Sequence, residues 1–267
     1  MSPHDPDTVA CMRILVTNDD GVHAPGILAL AQALHRAGHE LVVVAPSSDR
    51  SGSSAAIGPL HRSGPIPFTE HEWPDLRDVR VLSIDAPPAT AVYGACLGGF
   101  GDPPDLVASG VNPGANTGHL VLHSGTVGAA LTAAGLGVPG LAVSIQWDEE
   151  RNYRWETAAA FAAAAVEWVT DPIGGPRVLN LNVPNLPLGD VRGVREARLA
   201  PYGTVWTASA DTTTGDLLLE FKGNDVEPDP DTDLALVRAG YAAVSPLLGM
   251  ERAPLAGAAD AIAAAMG

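Results

Sequence analysis

The sequence predicts an α/β fold, a mostly parallel sheet covered by helices on both faces, and three observations point to it. Short runs rich in Val, Ile and Leu alternate along the chain with Ala- and Leu-rich stretches of helical length. The short runs are apolar at consecutive positions instead of alternate ones, the pattern of strands buried on both faces. Polar, Gly- and Pro-rich residues collect directly after the runs, where an open parallel sheet places its ligand crevice. Together these describe a Rossmann-like, doubly wound domain of three layers, α/β/α.

Each element follows in turn. RILVT at 13–17 opens the sheet, and Pro25 starts a helix at the position where a missing N–H costs nothing. ELVVVA at 40–45 and VRVLSI at 79–84 are the next strands, and Pro88 starts the next helix. DLVASG at 105–110 is a strand followed by a Gly- and Pro-shaped loop; Ser124 precedes a helix. GLAVSI at 140–145, a helix from about Arg154 and VLNLNV at 178–183 complete the alternation. After Pro184 the pattern changes. TVWTASA at 204–210 and DLLLEFKG at 216–223 read as a β-hairpin arm, 242–246 as a returning strand and 256–266 as a closing helix. The chain divides accordingly into a flexible extension (1–11), the Rossmann-like domain that carries the crevice (12–185) and an arm with a returning strand and closing helix (186–267).

Composition narrows the chemistry. At 46% hydrophobic and 17% charged residues the 267-residue chain has enough apolar material for one sizeable core. A formal charge of −16 argues against a duplex nucleic acid as partner, because that affinity comes from Lys and Arg on phosphates. A short phosphorylated ligand remains open. Lys222 is the one lysine, so a phosphate-loop or Schiff-base lysine would have to be Lys222. Cys11 and Cys96 cannot build a disulfide framework or thiolate cluster and fit a reducing, cytoplasmic setting. Residues 1–11 lack the basic start and apolar core of a secretory signal. The stretch 120–147 holds no Asp, Glu, Lys or Arg, but glycines and Pro139 split it into a buried helix and a buried strand, so no membrane span is implied.

Three post-strand loops gather polar residues: 17–21 (TNDDG), 46–52 (PSSDRSG) and 109–116 (SGVNPGAN). Adjacent carboxylates repel one another, and a divalent cation is a reason to hold them together. Asp19 and Asp20, with the Ser51 hydroxyl and the Asn112 amide oxygen, form an all-oxygen shell suited to one Mg²⁺ or Mn²⁺. The competing reading makes 18–21 a plain turn with Asp20 as a helix cap. Ser124, Gly125 and Thr126 open a helix with free N–H groups, the positive dipole end and two hydroxyls, a phosphate cradle, unless Ser124 is simply an N-cap. Asn116 is directed at the phosphate. The histidines read mostly as surface residues, and Arg50 either meets an anionic substrate or pairs with Asp49.

With these residues in hand, the chain resembles the SurE family of survival-protein nucleotidases. The resemblance rests on RILVTNDDG with Pro25-Gly26, VVAP…RSG, LVASGVNPGANTG, LHSGTVGAAL…GVPGLAVS, VLNLNVPN and, near the end, Thr232-Asp233…Gly240-Tyr241…Ser245-Pro246-Leu247. It implies a metal-dependent 5′-nucleotidase, with the metal on Asp19, Asp20, Ser51 and Asn112 and phosphate at Asn116, Ser124, Gly125 and Thr126. The expected substrate is a nucleoside 5′-monophosphate, with 3′-monophosphates as a second class. Water attacks in line, with the metal or a carboxylate of Asp19 or Asp20 as the activating base. The arm implies a homodimer or homotetramer. One departure is Thr90, where the family carries an acid. Two rivals are weighed. A nucleotide-sugar glycosyltransferase needs two α/β domains, and a receiver-like metal-binding module needs a lysine beside the acids.

Overall fold

The central strands form from short runs rich in Val, Ile and Leu that are buried on both faces. The computed structural model describes residues 11–58, 64–171, 178–201, 205–212, 216–223 and 227–248. Its strands are β1 (Arg13–Thr17), β2 (Glu40–Pro46), β3 (Phe68–His71), β4 (Arg80–Ile84), β5 (Leu106–Pro113), β6 (Gly140–Ile145), β7 (Val178–Val183), β8 (Val194–Glu196), β9 (Val205–Asp211), β10 (Leu218–Gly223) and β11 (Ala242–Leu247). The α-helices are α1 (Pro25–Arg36), α2 (Pro88–Cys96), α3 (Gly125–Gly135), α4 (Trp155–Thr170) and α5 (Asp233–Arg238).

Nine strands form one sheet in the order β3-β4-β2-β1-β5-β6-β7-β11-β8. β1 pairs in parallel with β2 on one side and β5 on the other, so the connections leave in opposite directions from it. That reversal opens a crevice beyond the carboxyl ends of β1 and β5. Only β3 against β4 and β11 against β7 run antiparallel.

Side chains of β1 alternate between the two faces. Ile14 and Val16 pack with Ile27, Leu30, Ala158 and Ala162 beneath α1 and α4. Leu15 packs with Val44, Leu82, Ala91 and Ala129 beneath α2 and α3. The doubly wound, three-layer arrangement read from the sequence is therefore the one found.

β9 and β10 pair antiparallel as a separate two-stranded sheet, from Leu218–Asp211 to Gly223–Val205, with a register shift between Glu220 and Phe221. The sequence did not announce β3, β8 or α5. β3 (FTEH) is largely exposed and β8 (VRE) wholly so, which leaves no burial pattern to read. α5 has six residues, too few for a helical period. The expected closing helix at 256–266 and most of the 1–11 extension lie outside the described residues. Among the described residues no helix is long and apolar enough to cross a membrane; 120–147 is occupied chiefly by α3 and β6.

Candidate active site

The turn after β1 is built by Asn18. Its Oδ1 accepts from the Gly21 N–H at 3.2 Å and its Nδ2 donates to the Gly21 carbonyl at 3.0 Å. α1 starts behind Ala24 and Pro25 without a side-chain cap. Turn and cap thus ask nothing of Asp19 or Asp20, which answers the competing reading of this loop.

Asp19 is buried, 3% exposed, and its Oδ1 accepts the Thr126 hydroxyl at 2.6 Å. α3 can come this close because residue 125 is glycine: a Cβ there would stand 2.7 Å from Cβ and Oδ2 of Asp19. Burial raises the Asp19 pKa, against the opposing bonds from Thr126 and the Gly125 N–H. Asp20 is raised to about 7, first by burial, then by the charges of Asp19 and Asp49. Its Oδ2 is buried with no hydrogen-bond partner among the described residues. A buried, unpartnered carboxylate oxygen is costly unless a cation faces it.

Asn112 Nδ2 donates to the Gly114 carbonyl at 2.6 Å, which leaves the amide oxygen as its remaining donor atom for a metal. The Ser51 hydroxyl donates to Asp49 Oδ1 at 2.6 Å, and the Ser51 N–H reaches the same oxygen at 2.7 Å. Asn116 is held from three sides. Its Nδ2 donates to Ser144 Oγ at 2.9 Å, and its carbonyl accepts from Nδ2 of Asn180 at 2.8 Å and of Asn182 at 3.2 Å. Ser124 is the N-cap of α3, accepting from the Val127 N–H at 3.1 Å. Thr90, at the position of the family acid, donates instead to the Ile57 carbonyl at 3.2 Å and ties the loop after β2 to α2.

A cavity of about 640 Å³ lies over these groups, lined by Asp19, Asp20, Ser51, Asn112, Asn116 and Ser124 among others. Gly125 and Thr126 stand behind that lining and act on Asp19. Other residues line the same wall, none of them assigned a task of its own in the site from the sequence. Asp49 lines the cavity and adds a third negative charge; Arg50, offered as its partner, pairs instead with Asp85. His123 also lines it. Trp147, Tyr153 and Trp155 complete the wall. The available signal for these was density: three of the chain's five Trp and four Tyr fall between 147 and 155.

The donor set fits a hard divalent cation. Among the described residues no group of three or more His, Cys, Asp or Glu converges as a metal cage. Two carboxylates completed by neutral oxygens and water suit Mg²⁺ or Mn²⁺ better than Zn²⁺.

Comparison with known proteins gives the same direction. Residues 14–204 match the family model described as "Survival protein SurE". The chain is 36% identical over 255 residues to the 5′-nucleotidase SurE of Xanthomonas campestris pv. campestris (strain B100), covering 88% of this chain and 89% of that one. It is 39% identical over 240 residues to the 5′/3′-nucleotidase SurE of Cronobacter sakazakii, covering 88% and 90%. The crystal structure of the SurE protein from Aquifex aeolicus superposes with a TM-score of 0.71 at 30% identity, covering 88% of this chain and 92% of that one.

Proposed function

The chain belongs to the SurE survival-protein family, and from that premise we propose that it is a metal-dependent phosphomonoesterase. Its substrates are nucleoside 5′-monophosphates, with 3′-monophosphates as a second class, and its products are nucleoside and inorganic phosphate. One observation carries the reading: the unpartnered, buried Oδ2 of Asp20 inside a cavity that also offers Asn112, Asn116 and Ser124.

Asp19, Asp20, Ser51 and Asn112 would hold the one divalent cation, Mg²⁺ or Mn²⁺. When bound it supplies Lewis-acid charge for the phosphoryl oxygens. The chain's own groups do the rest. Thr126 and the Gly125 N–H hold Asp19 in one orientation. The positive end of α3 and the Ser124 hydroxyl face the phosphoryl group, and Asn116, locked by Ser144, Asn180 and Asn182, gives that side of the cavity a rigid floor. Of the two carboxylates Asp20 is the freer to take the proton of the attacking water, because Asp19 Oδ1 is committed to Thr126.

The β9–β10 hairpin supports a homodimer or homotetramer. An isolated two-stranded ribbon is marginal in water, and Leu217 and Leu218 at the start of β10 are 64% and 50% exposed. Cys11 and Cys96 are both free thiols, in keeping with a cytoplasmic setting. A glycosyltransferase reading finds a single nine-stranded sheet where it needs two domains, and a receiver-like module finds its one lysine on the hairpin strand β10.

The test is phosphate release from a panel of nucleoside monophosphates, with EDTA and then with added Mg²⁺ or Mn²⁺. Chelator-sensitive release is expected. No phosphomonoesterase activity under any of these conditions overturns the reading, and a monomer by light scattering at micromolar concentration overturns the oligomer.

A further inference from the structure

Phosphoryl chemistry needs oxygens, N–H donors and a cation; it has no use for aromatic faces. Yet the same cavity is walled by Trp147, Tyr153 and Trp155. Their rings form one continuous group: Trp147 meets Tyr153 edge-on at 6.3 Å between centroids, and Tyr153 meets Trp155 at 4.7 Å with a 41° tilt. The group runs along the cavity wall between α1 and the loop after β5. Trp155 abuts the first turn of α1, 3.1 Å from where a Cβ on Gly26 would stand, and Trp147 lies 3.8 Å from the equivalent point on Gly114, beside Asn112.

The segment bearing these rings is braced. Asp148 Oδ1 accepts from the N–H groups of Glu150 at 3.0 Å and Asn152 at 3.2 Å. Asn185, just past β7, donates to Asp148 Oδ2 at 3.1 Å and to the Asn152 carbonyl at 3.0 Å, and accepts from the Arg154 N–H at 2.8 Å. The bracing fixes the backbone next to Trp147, whose side chain stands 55% exposed to a flat partner, so part of the ordering cost of binding is already met.

We propose that this wall is the nucleobase platform, with the base of the substrate stacking on Trp147 while its phosphate lies at Asp19, Asp20 and Ser124. The proposal deepens the nucleotidase reading and rests on it for the identity of the ligand. Stacking tolerates any base, because every base has a π-face, so the platform separates nucleotides from base-free phosphate esters more than it separates bases from one another.

Two measurements test it, one independent of hydrolysis. Equilibrium dialysis with labelled adenosine reads base binding alone: the wild-type protein binds, Trp147→Ala weakens binding on the order of ten- to a hundredfold, and Trp147→Phe restores most of it. Steady-state kinetics then compare a nucleoside monophosphate with ribose 5-phosphate. Trp147→Ala raises KM for the nucleotide by a similar factor with little change in kcat, and leaves kcat/KM for ribose 5-phosphate within twofold. Equal losses on both esters, or adenosine binding unchanged in Trp147→Ala, overturn the platform while hydrolysis stands. Adenosine binding that depends on Trp147 in a protein that hydrolyses nothing upholds the platform and removes the nucleotidase reading instead.

Discussion

The two ends of the central sheet treat carboxylates in opposite ways. At the amino end several acids meet a base in the open: Arg13 bonds Glu40 and Asp102, both at 2.8 Å, and Arg80 bonds Glu70 at 2.6 Å. His35 meets Asp78 at 2.9 Å, and that bond holds the Asp78 carboxyl below its usual range. At the carboxyl end Arg50 and Asp85 pair in the same way, but Asp19 and Asp20 are withdrawn from water with no basic partner among the described residues, and both are pushed upward. Ordinary surface energetics explains the first arrangement. The second stores unfavourable electrostatics that folding alone gains nothing from, and such sites mark function.

The largest effect should come from removing the stored charge. Asp20→Asn keeps the shape but loses a ligand and the proposed base, and activity should fall by about 10³-fold or more. The same variant should melt at or above the wild-type temperature in EDTA, since repulsion with Asp19 and Asp49 is relieved. Calorimetry and phosphate release check the pair of outcomes together. An active variant that still requires metal would remove Asp20 from the shell.

Next comes the group that orients Asp19. Thr126→Val preserves volume but leaves a buried carboxylate oxygen without its donor, at a stability cost of about 1–3 kcal/mol. Activity should drop roughly 10- to 100-fold. Thr126→Ser should recover most of both, and a Ser variant as poor as Val would show that packing, not the hydroxyl, is what matters there.

How much of this was legible beforehand follows the same division. β1, β6 and β7 match their predicted spans because each is a short, almost wholly buried run set off by turn or loop residues. β3 and β8 are exposed and write nothing. In the site, Asp19, Asp20 and Asn112 were readable because loops after parallel strands must meet at one end of the sheet. The tasks of individual side chains were not. Thr126 and Ser124 sit in one helix start, yet the first serves Asp19 and the second caps the helix. Sequence supplies hydroxyls and their position; which acceptor each reaches depends on sub-ångström packing at Gly125. His39 illustrates the converse: read as a surface residue at a helix end, it is 4% exposed.

His39 is a titratable group withdrawn from water at the amino end, and it gives a pH test. Its Nδ1 accepts from the Met12 N–H at 3.3 Å, its Nε2 is buried without a partner among the described residues, and burial lowers its pKa. The folded protein therefore favours the neutral ring, whereas the unfolded chain takes up a proton below about 6.5. The contribution is fully present above that pH and declines as pH falls toward the lowered folded value, by no more than ~1.4 kcal/mol per pH unit. Urea unfolding of the wild type and His39→Phe at pH 7.5 and pH 5.5 should show the difference between them shifting in favour of the variant at the lower pH. A constant difference would mean that His39 is not held neutral.

The smallest effect should be at Arg80 and Glu70, and it tests the comparison from the other side. Both Arg80 Nε, at 3.0 Å, and Nη2, at 2.6 Å, donate to the same Glu70 oxygen, so the contact lacks the parallel fork that makes such pairs strong. The side chains are 47% and 59% exposed, where water competes for each charge and salt screens the pair. A double-mutant cycle of Arg80→Ala and Glu70→Ala should return a coupling below about 0.5 kcal/mol, smaller still at high salt, with kcat/KM within twofold of wild type. A coupling above about 1 kcal/mol would mean that the amino end stores electrostatic energy as well, and the contrast with Asp19 and Asp20 would then rest on burial alone.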